Sequence, residues 1–393
     1  MLADEHQVPA YIRPTLLQLF LAFLKLGATA FGGPAMVAII RRLAVQTKRW
    51  LDDDTFRNGV ALCQTIPGAT AMQTSAYVGL RTRGIKGAAV SFIGFGLPGL
   101  VLMLVLSALY ARLQGVPTAL TIFSGLRALV VALIAHAAVT FGRTYLTKWH
   151  DYIVASLAAL LFWIGLSPVL VIVLSFLMGV GVRFRGDGPN RERRPPVEPF
   201  PVKFVVLVVV VAASSLAALL LIDRRLFELS VLMLRIDVFA FGGGFASLSL
   251  MFHEFVGVRH WLEPRTFMDG IALGQVTPGP IVITATFVGY AVRGILGALI
   301  ATASIFFPSF VLVTSITPIF LRLNSFMLFR KGVDGVLCSF VGLLASTAAR
   351  FGTSVAWDLP RAAIAAAVFA ALMLRLNLLW IVVGVAILSL LIG

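Results

Sequence analysis

The feature that most constrains this 393-residue chain is a succession of long apolar stretches almost free of charge, such as Phe204–Ile222 and Ala362–Ile392. About 20 apolar residues in helical form match the ~30 Å hydrocarbon layer of a bilayer, and a helix satisfies its own backbone polar groups there. Hydrophobic residues make up 59% of the chain and charged residues 12%, whereas soluble domains carry about 25% charged residues. So little charge cannot cover a soluble surface of this size. The expected fold class is an all-α polytopic membrane protein, multi-pass in the cell (inner) membrane, with the lipid bilayer as its first partner. The net charge of +15 falls in short loops, as the positive-inside bias requires, so no nucleic-acid partner is expected. Cys63 and Cys338 lie far apart in apolar stretches and read as small hydrophobes rather than a disulfide framework. Met1–Pro14 is polar and acidic, so the first membrane segment itself is expected to direct insertion.

The chain also repeats itself. Trp50-Leu51-Asp52-Asp53-Asp54-Thr55-Phe56 returns as Trp261-Leu262-Glu263-Pro264-Arg265-Thr266-Phe267. Gln64, Pro67 and Gly68 match Gln275, Pro278 and Gly279, and Phe31-Gly32-Gly33-Pro34 pairs with Phe241-Gly242-Gly243-Gly244. Gly79, Arg83, Gly84 and Gly87 pair with Gly289, Arg293, Gly294 and Gly297. Two pseudo-symmetric repeats follow, residues 1–182 and 226–393, each of about six apolar segments. In the first they are Leu16–Ile40, Gly59–Leu80, Gly87–Ala111, Ala119–Phe141, Tyr152–Leu166 and Pro168–Val182. Residues 183–225 supply a Pro/Arg/Glu-rich cytoplasmic linker and one connecting transmembrane helix. Duplicated halves are a common plan of secondary transporters.

Loop charge sharpens the topology. If every segment crossed, the basic loop Arg41–Arg57 would lie outside, against the positive-inside rule. If the first two segments of each half dip in and return, broken at Gly32-Gly33-Pro34 and Pro67-Gly68, that loop is cytoplasmic. The connecting helix then inverts the second half. Inverted repeats opening with re-entrant hairpins are therefore expected, plain crossings being the alternative.

The breaks are the candidate site. Glycine turns the backbone where a Cβ would clash, and Pro67 and Pro278 suit the first turn of a helix. Each break starts a half-helix whose unpaired N–H groups and positive dipole end suit an anion. The expected substrate-binding residues are Gly32, Gly33, Pro34, Pro67 and Gly68 with Gly242, Gly243, Gly244, Pro278, Gly279 and Pro280. Lys25 and Arg235 occupy corresponding positions before the Gly-Gly breaks and either attract the anion or snorkel to an interface. Gln64, Gln275 and Thr277 offer hydrogen bonds, as do Thr284 and Thr286. Arg127 and Asp334 fall at related places in the fourth segments, either as an ion pair across the pseudo-symmetry axis or as interface residues. Asp237 is either a partner of Arg235 or, like Asp334, a coupling carboxylate. The histidines show no metal-ligand spacing, and Walker A, Gly-x-Ser-x-Gly and His-Glu-x-x-His patterns are absent from the sequence. Neither enzyme chemistry, nor a cofactor, nor a metal is expected.

These residues resemble the chromate ion transporter family of the long-chain, two-domain type. The resemblance rests on Lys25-Leu26-Gly27, Phe31-Gly32-Gly33-Pro34, Gln64 with Pro67-Gly68, and Tyr77-Val78-Gly79. In the second half it rests on Phe239-Ala240-Phe241-Gly242-Gly243-Gly244, Gly274-Gln275-Val276-Thr277-Pro278-Gly279-Pro280 and Phe307-Pro308-Ser309-Phe310. It implies a secondary active exporter of chromate conferring chromate resistance. A dianion leaving a negative interior gains about 2.3 kcal/mol per charge per 100 mV. Sulfate has the same shape and charge, so another oxyanion exporter or exchanger, or an anion channel, remains the alternative. Oligomeric state, a homodimer included, is open at this stage.

Overall fold

The computed structural model describes residues 13–31, 35–113, 115–182, 201–320 and 326–392. Among the described residues all regular elements are helical. The first half holds α1 (Leu16–Thr29), α2 (Ala35–Arg41), α3 (Asp53–Thr65), α4 (Thr70–Leu113), α5 (Pro117–Tyr145), α6 (Trp149–Trp163) and α7 (Pro168–Val182). The connecting helix is α8 (Val202–Ile222). The second half holds α9 (Arg224–Phe239), α10 (Gly244–Met251), α11 (Pro264–Val276), α12 (Thr284–Ile316), α13 (Met327–Ser354), α14 (Leu359–Met373) and α15 (Leu378–Ile392). Both α2 and α10 run on into π-helical turns, Arg42–Thr47 and Phe252–Val258.

Local chemistry sets the boundaries. Thr15 caps α1 by accepting from the Gln18 N–H at 3.1 Å, while the Gln18 side chain accepts from the Thr15 N–H at 2.8 Å, a capping box. Asp52 caps α3 through the Thr55 N–H at 2.6 Å. Three of the segments expected to break do so among the described residues. Backbone at φ +116° for Gly68 and +108° for Gly279 separates α3 from α4 and α11 from α12. Gly242 and Gly243, at +91° and +84°, separate α9 from α10. Gly32, Gly33 and Pro34 lie outside the described residues.

Helices α4 and α12 each contain a reversal, at Arg83-Gly84 and Arg293-Gly294, where the backbone leaves helical angles. The arms meet so closely that a Cβ on Gly79 would lie 2.2 Å from the Gly87 carbonyl oxygen, and one on Gly289 the same distance from that of Gly297. Residues 70–82 and 284–292 are thus short arms folded back on long helices. A 14-residue helix such as α1 is about 21 Å long, short of the ~30 Å apolar layer. Five described stretches hold a helix long and apolar enough to span: 70–113 and 281–319, each in the long arm beyond its reversal, with 117–145, 202–222 and 327–354.

The halves interlock about a pseudo-two-fold axis. The Gly68 N–H donates to the Ala240 carbonyl at 3.0 Å, and the Gly279 N–H donates to the Ala30 carbonyl at 2.9 Å. Each half's second break is thereby tied to the other half's first. The terminal hairpins are exchanged as well: α6 and α7 pack on α13, and α14 and α15 pack on α5. Helix α8 has no counterpart, buries none of its residues, and lies along α9.

Candidate functional site

The breaks come together around a cavity of about 690 Å³. Its floor is built from Ala69-Thr70-Ala71 at the start of α4, Gly242-Gly243-Gly244 at the start of α10, and Pro280-Ile281-Val282 ahead of α12. Met36 and Val37 of α2 form part of the wall. Three helix starts from two halves therefore face one space. The first N–H groups of a helix have no intrahelical acceptor, and their dipole ends sum to a positive field. A Cβ on Gly243 would sit 3.2 Å from Thr70 Oγ1, and one on Gly244 would sit 3.2 Å from Val282 Cγ2. Glycine keeps the helix starts this close.

Two cations stand at the mouth. Arg41 Nε lies 2.6 Å and Arg57 Nη2 2.9 Å from the two oxygens of Asp53, so two guanidinium groups share one carboxylate. The hydrogen bond from Arg41 holds the Asp53 carboxyl below its ordinary range. Gln64 lines the same cavity. The wall opposite is aromatic: Phe141 sits 5.1 Å from Phe340 and 6.4 Å from Phe245, ring centre to ring centre.

Beneath the floor lies a buried polar chain. Asp237 is fully buried, and its Oδ2 accepts from the Ser309 N–H at 2.8 Å and the Ser309 hydroxyl at 2.7 Å. Ser309 Oγ accepts in turn from the Ala69 N–H at 2.9 Å. Asp237 Oδ1 has no hydrogen-bond partner among the described residues. Gln73 Nε2 donates to the Pro67 carbonyl at 2.6 Å. A carboxylate is thus wired, through one serine, to the backbone of an anion-facing break.

The pseudo-symmetric region of the second half is sealed. Ile271 is fully buried, whereas its counterpart Val60 is partly exposed on the cavity wall. Phe351 stacks edge-on over Phe252 at 4.7 Å and lies 6.4 Å from Phe267. Helix α11 packs on α5, while α3 has no comparable packing on α13 among the described residues. The seam is closed by Arg127, whose Nε and Nη2 bind Asp269 Oδ1 and Oδ2 at 2.7 and 2.8 Å, with the Tyr110 hydroxyl donating to Oδ2 at 2.8 Å.

Several expected residues lie elsewhere. Arg127 is engaged by Asp269, not by Asp334, which sits exposed on α13 and away from the cavity lining. Arg235 pairs with Glu254 at 2.9 Å rather than with Asp237. Lys25 is exposed on α1, outside the cavity. Gln275 is buried within α11, with Nε2 3.4 Å from its own Ile271 carbonyl. Thr277 and Thr284 donate to carbonyls of their own turns, and Thr286 pairs with Thr302 at 2.7 Å. Sequence reasoning overlooked Arg41 and Arg57 as site residues, together with Thr70, Gln73, Ser309, Tyr110 and Asp269. The available signals were the position of Arg57 seven residues before Gln64, two helical turns along one face, and Ser309 within the Phe-Pro-Ser-Phe motif.

A two-repeat polytopic membrane protein, with broken helices converging on an anion-suited cavity, is the class that this fold and site define. The chain belongs to the chromate transporter family, whose model matches it twice, over residues 17–180 and 227–390. It is 41% identical to an uncharacterised transporter of Methanocaldococcus jannaschii over 372 residues, covering 94% of this chain and 92% of that protein. It is 30% identical to a chromate transport protein of Cupriavidus metallidurans (98% of this chain, 94% of the other). Its identity to one of Pseudomonas aeruginosa is 32% (90% and 85%). No solved structure matches the chain.

Proposed function

We propose that this chain carries chromate out of the cell across the plasma membrane as a secondary active transporter, and so confers chromate resistance. The observation that carries the reading is the convergence of three helix starts on one cavity with Arg41 and Arg57 at its mouth. Unpaired N–H groups bind an oxyanion without a dedicated cation, so the site holds the anion without trapping it. The mouth arginines raise the local anion concentration.

The basic 41–57 loop faces the cytoplasm in this reading, so the cavity is open inward and the Arg127–Asp269 side is shut outward. Exchange of the two halves' conformations would open the second cavity and close the first, as inverted repeats permit. The sealed second side favours a carrier over a continuously open channel. Asp237 is the coupling candidate, because its charge acts through Ser309 on the Ala69 N–H. Asp334 is set aside from that role by its exposed position.

Proteoliposomes of known orientation, given a set membrane potential, test the proposal through uptake of labelled chromate against sulfate. Potential-dependent chromate flux, lowered in Arg57→Gln and in Gly243→Ala, supports it. Equal sulfate flux demotes chromate to one oxyanion among several. Absence of flux for both, in correctly inserted protein, rejects it.

A further inference from the structure

Outside the cavity, α1, α2 and the π-helical turn enclose a second groove of about 1040 Å³. It holds three cations, Lys25, Arg42 and Lys48, none with an ion-pair partner among the described residues, and no carboxylate lines it. Along their helices Lys25 lies about 7 Å, Arg42 about 10 Å and Lys48 about 20 Å from the first break. The cations thus stand at increasing distances from the break along the groove. Leu21 and Ile39 line the same groove and are exposed, and the buried Trp50 lines it too.

The second half shows what the groove lacks. There Arg235, the counterpart of Lys25, is neutralised by Glu254 at 2.9 Å. The turns align by their hydrogen bonds: the Lys48 N–H donates to the Leu43 carbonyl as the Arg259 N–H donates to that of Glu254. Leu43 therefore stands where the carboxylate would be, and it lines the groove beside Lys25. Three cations in one apolar groove without a counter-charge favour an external anion. A soluble oxyanion would satisfy the cations but leave Leu21 and Ile39 uncovered. A phospholipid supplies both a phosphate and acyl chains.

We infer that this groove binds an anionic phospholipid of the cytoplasmic leaflet, its phosphate held by Arg42 and Lys48 with Lys25 beneath, and an acyl chain laid over Leu21 and Ile39. The cytoplasmic placement rests on the proposed topology; the binding itself does not rest on chromate transport.

The test is native mass spectrometry of the purified full chain, delipidated and titrated with phosphatidylglycerol or phosphatidylcholine. Phosphatidylglycerol should be retained preferentially, and Lys25→Gln or Arg42→Gln should weaken retention about fivefold each, as a cation near a lipid phosphate contributes. Ile39→Trp, which fills the acyl track without changing charge, should also weaken it. Equal retention of the two lipids, or no effect of any variant, overturns the proposal. So does displacement of phosphatidylglycerol by millimolar sulfate or chromate, which assigns the cations to a soluble anion, or occupation of the groove by a second copy of the chain.

Discussion

Replacing Asp269 by asparagine should open the sealed side. In the present conformation the carboxylate is 1% exposed and takes both prongs of Arg127, itself 18% exposed, at 2.7 and 2.8 Å. The asparagine side chain would keep one acceptor and turn an amide donor toward a guanidinium whose one carboxylate partner among the described residues is Asp269. Breaking a buried pair by removing one partner costs about 3–5 kcal/mol, because the remaining charge is left uncompensated. That cost falls on the sealed conformation, since opening the seam hydrates Arg127. At about 1.4 kcal/mol per decade, the balance between sealed and open forms moves by about 100- to 4,000-fold. A cysteine at Ile271, now fully buried, reports the opening, with one at its counterpart Val60 as the complement. An impermeant maleimide applied from the side opposite the 41–57 loop should label Ile271→Cys about 100-fold faster in the Asp269→Asn background. Labelling of Val60→Cys from the other side should fall. Arg127→Met with Asp269→Leu should restore the seal, since an apolar pair of similar bulk is tolerated where a lone charge is not. Unchanged labelling at both positions in folded, inserted Asp269→Asn protein would refute the gate.

Three further outcomes follow from the site. Gly243→Ala places a Cβ at φ +84° and 3.2 Å from Thr70 Oγ1, a strain of about 1–3 kcal/mol; flux should drop steeply while membrane insertion, read by detergent-extracted yield, is retained. Ser309→Ala removes the hydroxyl's hydrogen bond to Asp237 and orphans the Ala69 N–H, so thermal stability should fall by the equivalent of about 2–4 kcal/mol, whereas Ser309→Thr should recover much of it. The Arg41–Asp53 contact holds Asp53 below its ordinary value of 3.8, so its contribution is fully present above about pH 4 and lost as pH falls through the depressed value; a flux profile between about pH 5 and 8 should carry no inflection removed by Asp53→Asn.

The duplication, the breaks and their anion-binding chemistry were legible because they are local. A Gly-Gly or Pro-Gly step changes the backbone wherever it stands, and its recurrence at matching positions marked it as built in. The partners of the charged residues were not legible in this way. Arg127 meets Asp269 across 142 positions of chain, and that meeting depends on α5 of one half packing on α11 of the other. Lys25 and Arg235 look equivalent in sequence, yet Glu254 neutralises Arg235 while Leu43 stands at the matching position beside Lys25, a correspondence that shows only once the two π-helical turns are aligned by their hydrogen bonds. Arg41 and Arg57 read as loop charges counted for topology. Arg41 at the end of the short α2 and Arg57 in the first turns of α3 meet over Asp53 at the cavity mouth, which loop counting does not encode. The threonines of the second break satisfied their own helix carbonyls, the ordinary behaviour of hydroxyls in apolar helices.

The central claim is that chromate binds at the helix starts rather than at the buried or lipid-facing cations. An anomalous difference map at the chromium absorption edge, from crystals of the protein grown with chromate, tests it directly. The account predicts a single dominant peak within hydrogen-bond reach of the N–H groups at Thr70-Ala71 and Gly244-Phe245, in the cavity between Gln64 and Ile281. A peak beside Lys25 or Arg235, with the cavity empty, would contradict it.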